Sequence, residues 1–404
     1  MKITNSSFAS HWPIRRVGDI CESIVPGRNK PDSFGGDIPW ITIADLADFY
    51  VTSSKAGLAV TSKIAKECGN KIIPRNAVLM SCVGQFGLVG IAKRDVVINQ
   101  QLHAFTCPSG MDPYFLATVL QIQQPYMERI ATQTTIKYMN KAACESVPVP
   151  LPPLPEQRKI AQILGTWDEA IATTEKLITA LERRKQGLMQ RLLTGQVRKK
   201  WQVAQLSEIA QVILSGVDKK TREGDMPVRL CNYTDVFYNA YITDTMPFME
   251  ATATQREIEK CTLRKDDVII TKDSETVAEI AQAATIDESL SNVICGYHLA
   301  IIRPNPELVY GPFLRELIMT PDIHYQFEKS ANGVTRFGLT GSAIESVEIP
   351  FPCLERQRQI VDVLRTNDRA VDALNDYRSQ LEVQKKGLMQ RLLTGQVRVN
   401  VQGE

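Results

Sequence analysis

The chain has 404 residues, of which 44% are hydrophobic and 23% are charged, with a formal net charge of +2. This length suffices for two or three domains with hydrophobic cores. The balanced charge excludes a uniformly basic or acidic protein, so evidence for an anionic partner has to come from local patterns. No apolar run reaches the roughly 18 residues of a membrane span, and the amino terminus lacks the apolar core of a signal peptide. We therefore expect neither feature.

Nine cysteines and four histidines are scattered along the chain without a C-x-x-C pair. This spacing argues against a zinc site, and we expect no metal site and no bound cofactor. An odd, dispersed set of cysteines favours reduced thiols and hence a cytoplasmic protein.

Residues 1–153 are predicted to form a first globular region. A turn-rich, basic stretch at 26–32 precedes several short β-like runs and one helix. The runs lie at 38–43, 77–82, 88–92 and 102–107, the helix at 113–123 and a polar, basic segment at 132–140.

Residues 154–199 are predicted to form a long helix that follows a proline-rich segment at 147–153. Prolines disfavour helix in the residue before them, so this segment separates the helix from the region before it. Apolar residues then recur at alternating spacings of four and three, which is the pattern of a coiled coil of about 35–40 residues. The stripe comprises Ile160, Leu164, Trp167, Ile171, Ile178, Leu181, Leu188 and Leu192, with Thr174 and Lys185 as polar members. A buried helix of one large domain is the alternative interpretation.

Residues 200–353 repeat the plan of the first region with weak identity. The segment 264–271 corresponds to 74–81, and 300–304 corresponds to 104–108. The turn at 218–222 occupies the place of 28–30, and Phe313 corresponds to Phe115. The numbering offset drifts between the matches, so we expect a common scaffold with loops of different length.

Residues 354–404 repeat the long helix with much stronger identity. Gly187 to Arg198 and Gly387 to Arg398 both read GLMQRLLTGQVR, and 23 of the 45 positions from Leu154 and Leu354 onwards are identical. The sequence thus predicts a mixed α+β chain with an internal, pseudo-twofold repeat. Two globular domains are joined by two long coiled-coil helices.

Motifs that carry catalysis are missing from the sequence. It contains no phosphate-binding G-x-x-x-x-G-K-[ST] loop, no G-x-G-x-x-G after a strand, no H-E-x-x-H and no G-x-S-x-G. His103 and His298 stand in or beside apolar runs and are interpreted as core or edge histidines. Two helices that share a twelve-residue identical segment, next to globular regions with divergent loops, favour two identical partners on the helices and two different targets on the domains.

Polar and basic loop side chains are the candidates for contact with DNA, because base edges are read by side chains and phosphates attract cations. In the first region they are Arg28, Asn29, Lys30, Gln85, Gln100, Gln101, Thr134, Thr135, Lys137 and Tyr138, and in the second Lys219, Lys220, Arg222, Lys272, Asn332, Thr335 and Arg336.

The proline-rich segment, the run LPEQRKIA from Leu154, the long helix and the run KQGLMQRLLTG from Lys185 resemble the central region of specificity subunits of Type I restriction–modification systems. The second copy resembles the distal region of the same family, so the resemblance covers the whole chain. One departure stands at Glu355–Arg356, where the family pattern has Pro-Glu.

The resemblance implies a subunit without catalytic activity, in which each globular domain reads one half of a bipartite, asymmetric DNA target. It also implies that the two long helices pack antiparallel, hold the domains at a fixed distance and dock two modification subunits that bind S-adenosylmethionine. Because helix length would then set the separation of the domains, we expect it to set the unread spacer as well. Restriction subunits, which use ATP and Mg²⁺, join that core, and adenine is methylated on both strands. The expected docking and coiled-coil residues are Gln157, Arg158, Leu188, Leu192, Gln357, Arg358, Leu388 and Leu392.

Two other functions stay open at this point. A helical adaptor would scaffold proteins without reading DNA and would show no salt-dependent DNA binding. An enzyme with an unrecognised site, such as a nuclease, would act on DNA by itself.

Overall fold

The computed structural model describes residues 11–27 and 29–400. The chain divides into two compact units. Unit 1 comprises the residues up to Glu175 together with those from Asp376 onwards, and unit 2 comprises Lys176–Asn375. Each unit therefore contains one sheet-bearing region and part of each long helix.

The described strands of unit 1 are β1 Ile14–Arg16, β2 Glu22–Ile24, β3 Ile38–Ile41, β4 Tyr50–Val51, β5 Ala59–Val60, β6 Val78–Ser81, β7 Val89–Ala92, β8 Val97–Ile98, β9 Leu102–Thr106 and β10 Pro148–Pro150. Its helices are α1 Val17–Ile20, α2 Ser62–Glu67, α3 Pro113–Ile122, α4 Gln124–Ile130, α5 Lys141–Glu145, the start of α6 Leu154–Leu193 and the end of the second long helix, Leu354–Leu393. A 3-10 helix spans Ile43–Ala47.

Unit 2 holds the rest of α6, a 3-10 helix at Gly195–Lys200 and another at Val277–Glu279. Its strands are β11 Gln202–Gln205, β12 Ala210–Leu214, β13 Met226–Cys231, β14 Tyr241–Ile242, β15 Met249–Ala253, β16 Val268–Thr271, β17 Asp273–Ser274, β18 Ala283–Ile286, β19 Val293–Cys295, β20 Leu299–Pro304, β21 Phe337–Gly338 and β22 Glu348–Phe351. Its helices are α7 Leu206–Ile209, α8 Tyr233–Phe237, α9 Gln255–Cys261, α10 Gly311–Ile318, α11 Pro321–Ser330, α12 Gly341–Glu345 and the first part of α13 Leu354–Leu393.

The sheets of the two units share one topology. In unit 1 a five-stranded sheet runs in the order β2-β9-β6-β7-β4, a three-stranded sheet in the order β5-β3-β8, and β1 pairs with β10. In unit 2 the corresponding orders are β12-β20-β16-β18-β14, β15-β13-β19 and β11-β22. Unit 2 has in addition the pair β17-β21. The common scaffold inferred from the weak sequence repeat is confirmed.

The central strand of each five-stranded sheet is buried on both faces. In unit 1, Val78 and Met80 pack in the cluster that contains α3, whereas Leu79 points into the cluster shared with β3 and β8. In unit 2, Val268 and Ile270 face α10, and Ile269 faces the other cluster. Alternate side chains of a strand point to opposite faces, which explains why these strands read as continuous apolar runs.

The long helices run for 40 residues each, as the heptad pattern predicts. From 172 to 187 the side chains that are not exposed are Thr174, Ile178, Leu181 and Lys185. Their spacings of four, three and four match the predicted stripe. The interpretation as a buried helix of one large domain is thereby excluded, because the remaining positions of this segment face solvent.

In unit 1 the helix parts run antiparallel. Asp168 of α6 pairs with Lys385, whereas Glu156, earlier in α6, pairs with Arg398, later in the chain. In unit 2, Lys185 lies 2.7 Å from Asp368, and the end of α6 joins the cluster of Ile360 and Leu364 at the start of α13. The predicted α+β class, with two sheet-containing domains and two long antiparallel helices, is confirmed. None of the described helices combines the length and the apolar character needed to cross a membrane.

Candidate nucleic-acid interface

One edge of the five-stranded sheet of unit 1 collects three of the predicted DNA-binding segments. The Cys82 N–H donates to the Gln101 carbonyl over 2.8 Å, because β6 ends where β9 begins. The Cys82 carbonyl accepts from the Met139 N–H over 2.9 Å, and the Gly84 N–H donates to the Lys137 carbonyl over 2.8 Å. Gln85, Gln100, Thr135 and Tyr138 are exposed side chains of these segments.

Neutral amides dominate this edge. The Asn99 and Gln101 side chains are ordered against each other, with Asn99 Nδ2 donating to Gln101 Oε1 over 3.0 Å. Gln85 stands exposed in the turn at Gly84, whose φ of 76° suits glycine. Lys137 supplies a charge to the same group of loops.

The basic turn of unit 1 belongs to another loop. Lys30 lies 5.9 Å from the ring centre of Phe34, and the Gly27 N–H donates to Asn70 Oδ1 over 2.6 Å. Arg28 lies outside the described residues. The prediction for Lys30 stays a prediction, since the described contacts do not join it to the amide group.

Unit 2 repeats the edge with different chemistry. The Lys272 N–H donates to the His298 carbonyl over 3.0 Å, and the Lys272 carbonyl accepts from the Leu339 N–H over 2.8 Å. Lys272 and His298 thus stand where Cys82 and Gln101 stand in unit 1. Strand pairing between β17 and β21 extends this edge and brings the segment from Asn332 to Arg336 beside it.

A charged network occupies the edge of unit 2. The Asp273 carboxylate accepts from Lys272 Nζ over 2.7 Å and lies 3.0 Å from His298 Nδ1. Burial raises the pKa of Asp273, but hydrogen bonds from Lys272 and His298 outweigh it and hold that pKa below its usual value. Lys272 also lies 4.8 Å from the ring centre of Tyr297, which is a cation–π distance.

The remaining predicted residues of unit 2 lie around this network or beside it. Arg336 Nη2 lies 3.4 Å from His298 Nε2. Lys219 lines a cleft of about 70 Å³ together with Tyr297 and His298. Lys220 pairs with Asp218 over 3.3 Å, while the Arg222 N–H donates to Thr252 Oγ1. Asn332 and Thr335 are exposed.

Three residues of this site are not among the predicted DNA-binding residues, namely Asp273, Tyr297 and His298. Asp273 lies two positions after the segment 264–271, where the sequence carries no signal for a carboxylate that binds a lysine and a histidine. His298 fits the interpretation as an edge histidine, because it directly precedes β20 and bonds to Asp273, and it also links that carboxylate to a guanidinium. His103 fits the interpretation as a core histidine: it is buried, lies 2.6 Å from Ser23 Oγ, and burial lowers its pKa to about 4.

The predicted docking role of Gln157 and Gln357 requires correction, because both side chains are buried. Gln157 accepts from the Asp112 N–H and donates to the carbonyls of Gly110 and Pro152. Gln357 does the same with Tyr310, Leu308 and Pro352. These amides tie each long helix to the preceding loops of its own unit, so they present no surface to a partner.

The other predicted docking and coiled-coil residues fall into two groups. Arg158 and Arg358 are exposed near the helix starts and remain available to a partner. The leucines pack within their units. Leu188 and Leu192 lie against the cluster of unit 2, Leu392 belongs to the cluster of unit 1, and Leu388 lies against that cluster.

Comparison with known proteins adds the family. The model described as Type I restriction modification DNA specificity domain matches residues 9–183 and 198–383. The MjaVIII specificity subunit of Methanocaldococcus jannaschii is 22% identical over 407 residues, covering 96% of this chain and 93% of that protein. The MjaIX specificity subunit of the same organism is 30% identical over 180 residues, covering 43% and 41%.

A solved structure shares the fold. The S subunit of a Type I restriction–modification system from M. genitalium superposes with a TM-score of 0.58 at 16% identity, covering 97% of this chain and 98% of that one. The resemblance inferred from the repeated helix motif is confirmed. Since the family model covers the sheet-bearing regions of both units, this chain belongs to the family of Type I restriction modification DNA specificity domains.

Proposed function

We propose that this chain is the non-catalytic DNA-reading subunit of a Type I restriction–modification complex. Residues 1–153 and 200–353 act as two target-recognition domains, each reading one half of a bipartite, asymmetric sequence. The helical pair sets the spacer between the half-sites and docks two modification subunits. S-adenosylmethionine, ATP and Mg²⁺ belong to the partner subunits, and the product is methylated adenine.

One observation carries this proposal. The five-stranded sheets of the two units have the same topology, but the same edge carries amides in unit 1 and a charged network that ends in the exposed Arg336 in unit 2. Base edges are distinguished by the donors and acceptors that a protein places against them. A common scaffold with different side chains at one edge is suited to reading two different sequences.

The test is a map of methylated bases in the source cell, with the gene intact, deleted and restored. We expect one bipartite motif to lose its methylation on deletion and to regain it on restoration. The purified chain alone should neither cleave nor methylate DNA, whereas its complex with the modification subunit should bind the motif with strong salt dependence. A methylation map that is the same in all three strains, combined with no DNA binding by the complex, would favour the adaptor.

A further inference from the structure

The loop that carries Arg336 is closed by backbone hydrogen bonds beside the edge of the five-stranded sheet of unit 2. Asn332 and Gly338 exchange two backbone hydrogen bonds, of 3.0 and 2.9 Å, which close the loop. Gly333 has a φ of 143°, and a Cβ at this position would lie 1.9 Å from the Arg336 carbonyl oxygen. Only glycine fits there, so the sequence of the loop fixes the backbone that presents Arg336.

His298 and Asp273 then orient the guanidinium. The contact between His298 Nδ1 and Asp273 places a proton on Nδ1, because the ionised carboxylate accepts hydrogen bonds only. In the neutral ring this leaves a lone pair on Nε2, which faces Arg336 Nη2 at 3.4 Å. That contact uses one of the five N–H donors of the exposed guanidinium.

A carboxylate near DNA repels the phosphates, and Lys272 offsets this repulsion for Asp273. Its ammonium lies 2.7 Å from Asp273, so the Asp273 charge is compensated within the network. Lys272 is largely buried by its neighbours, including the Tyr297 ring. The group that the network presents to solvent is thus the Arg336 guanidinium.

We propose that Arg336, oriented by His298 and Asp273, contacts a guanine in the half-site read by unit 2; this assignment rests on the proposed function. Guanine presents O6 and N7 side by side in the major groove, and the planar guanidinium donates to both at once. The corresponding edge of unit 1 offers the amides of Gln85 and Gln101, which lack that fork. His298 is a positioning residue: it acts on the base through Arg336.

The experiment uses the full chain in complex with its modification subunit and duplexes that carry its methylation motif. Each guanine of the motif is replaced in turn by 7-deazaguanine, which lacks N7 but keeps Watson–Crick pairing. We expect one position at which the replacement weakens binding by about 5- to 100-fold. In Arg336→Ala the same replacement should have no further effect, and other bases should be tolerated at that position.

Three further variants separate specific from general effects. Arg336→Lys keeps the charge and should retain overall affinity while losing most of the discrimination at this guanine. His298→Ala should reduce the discrimination, and His298→Gln should preserve more of it, because an amide can donate to Asp273 and accept from Arg336. Arg256→Ala, at an exposed arginine of α9, is the matched control and should leave the binding profile unchanged.

Several outcomes would overturn the assignment. Equal weakening on all sequences in Arg336→Ala would make Arg336 a phosphate contact. Loss of discrimination at a base other than guanine, or at both half-sites, would also contradict it. A wild-type complex that binds no methylated motif would refute the proposed function itself, which is a distinct result. Melting temperatures of all variants show whether a loss reflects unfolding.

Discussion

Arg198 and Arg398 end the two identical twelve-residue segments, yet they pair with carboxylates in opposite surroundings. Arg398 is half-exposed and binds both oxygens of Glu156, over 2.5 and 2.8 Å, and the Glu156 side chain is only 1% exposed. Arg198 is itself 13% exposed and pairs with Asp322, which is 54% exposed. Arg356 stands in unit 2 where Glu156 stands in unit 1. Arg198 therefore lacks the equivalent carboxylate and pairs with Asp322 of α11 instead.

The comparison separates what the repeat fixes from what its surroundings decide. Both units retain the ion pair between a helix lysine and the opposite helix, Lys385 with Asp168 and Lys185 with Asp368. Both retain the buried glutamine that joins the long helix to the preceding loop. The repeated sequence therefore specifies the helix and its cross-helix ion pairs. The partner of the last arginine, Arg198 or Arg398, depends instead on which carboxylate lies nearby in its own unit.

The largest effect is expected from the buried glutamines. Gln157→Leu and Gln357→Leu leave a backbone N–H and two carbonyls without their amide partner in an interior site. Each substitution should lower the free energy of unfolding by about 2–5 kcal/mol, because buried polar groups without partners are costly. Denaturant titration monitored by circular dichroism measures the change.

The exposed Gln359, on α13 close to Gln357, is the matched control, and Gln359→Leu should change the free energy of unfolding by less than about 0.5 kcal/mol. Comparable losses of unfolding free energy in Gln157→Leu and Gln357→Leu would show that the two buried glutamines are equivalent. If only one of the two variants were as stable as the control, the two glutamines would not be equivalent, and if both were, the lost hydrogen bonds would not carry the expected cost.

The two arginines should respond unequally to the same change. Arg398→Ala leaves the Glu156 carboxylate buried and without its cation, which is an expensive state. Arg198→Ala leaves Asp322 in contact with water, where an unpaired carboxylate costs little. We expect the melting temperature to fall by several degrees in Arg398→Ala and by about one degree in Arg198→Ala.

Differential scanning calorimetry on both variants and the wild type checks this difference. Asp322→Ala is the informative third variant, because it leaves Arg198 poorly solvated with Thr320 Oγ1, 3.1 Å away, as its remaining partner. Its effect should exceed that of Arg198→Ala. Equal shifts in Arg198→Ala and Arg398→Ala would show that the surroundings of the repeat do not determine the strength of the pair.

Much of the fold could be predicted from the sequence because apolar runs and helical periodicity depend on neighbouring residues only. The predicted run at 77–82 contains β6 Val78–Ser81, and the predicted helix at 113–123 contains α3 Pro113–Ile122. Two-residue strands such as β4 and β5 escaped, since so short a segment has no periodicity of its own and is defined by its pairing partner.

The site was only partly predictable for the same reason. Lys272 and Arg336 were chosen because they are cations in loops, but the network between them depends on β16 pairing with β20, which brings Asp273 to His298 across 25 positions. Gln157 and Gln357 were misjudged because a polar residue in the first turn of a helix is usually solvated. Here, loops that lie more than 40 positions upstream cover both amides.

The smallest effect concerns the tyrosines that bind the cross-helix aspartates. Tyr114 of α3 donates to Asp168, and Tyr241 of β14 donates to Asp368 over 2.9 Å. Burial raises the pKa of both phenols well above the usual value, and the nearby carboxylates raise it further. The same hydrogen bond between a tyrosine and the cross-helix aspartate thus forms in both units, although the tyrosine lies on a helix in unit 1 and on a strand in unit 2.

Because these phenols stay protonated in the folded state, their stabilising effect is complete below about pH 10, where unfolded tyrosine is neutral as well. Above that pH the unfolded state ionises and the free energy of unfolding falls. In the wild type the free energy of unfolding therefore falls between pH 10 and 11. Tyr114→Phe and Tyr241→Phe should each make this fall smaller by about 0.5–1 kcal/mol, after allowance for partial solvation. Urea titrations at pH 8, 10 and 11 measure this pH dependence, with Tyr325→Phe, at an exposed tyrosine of α11, as the control.

Similar changes of the pH dependence in Tyr114→Phe and Tyr241→Phe would show that the two tyrosines stabilise their units in the same way despite their different positions. A change in one variant alone would confine this coupling between tyrosine ionisation and stability to a single unit.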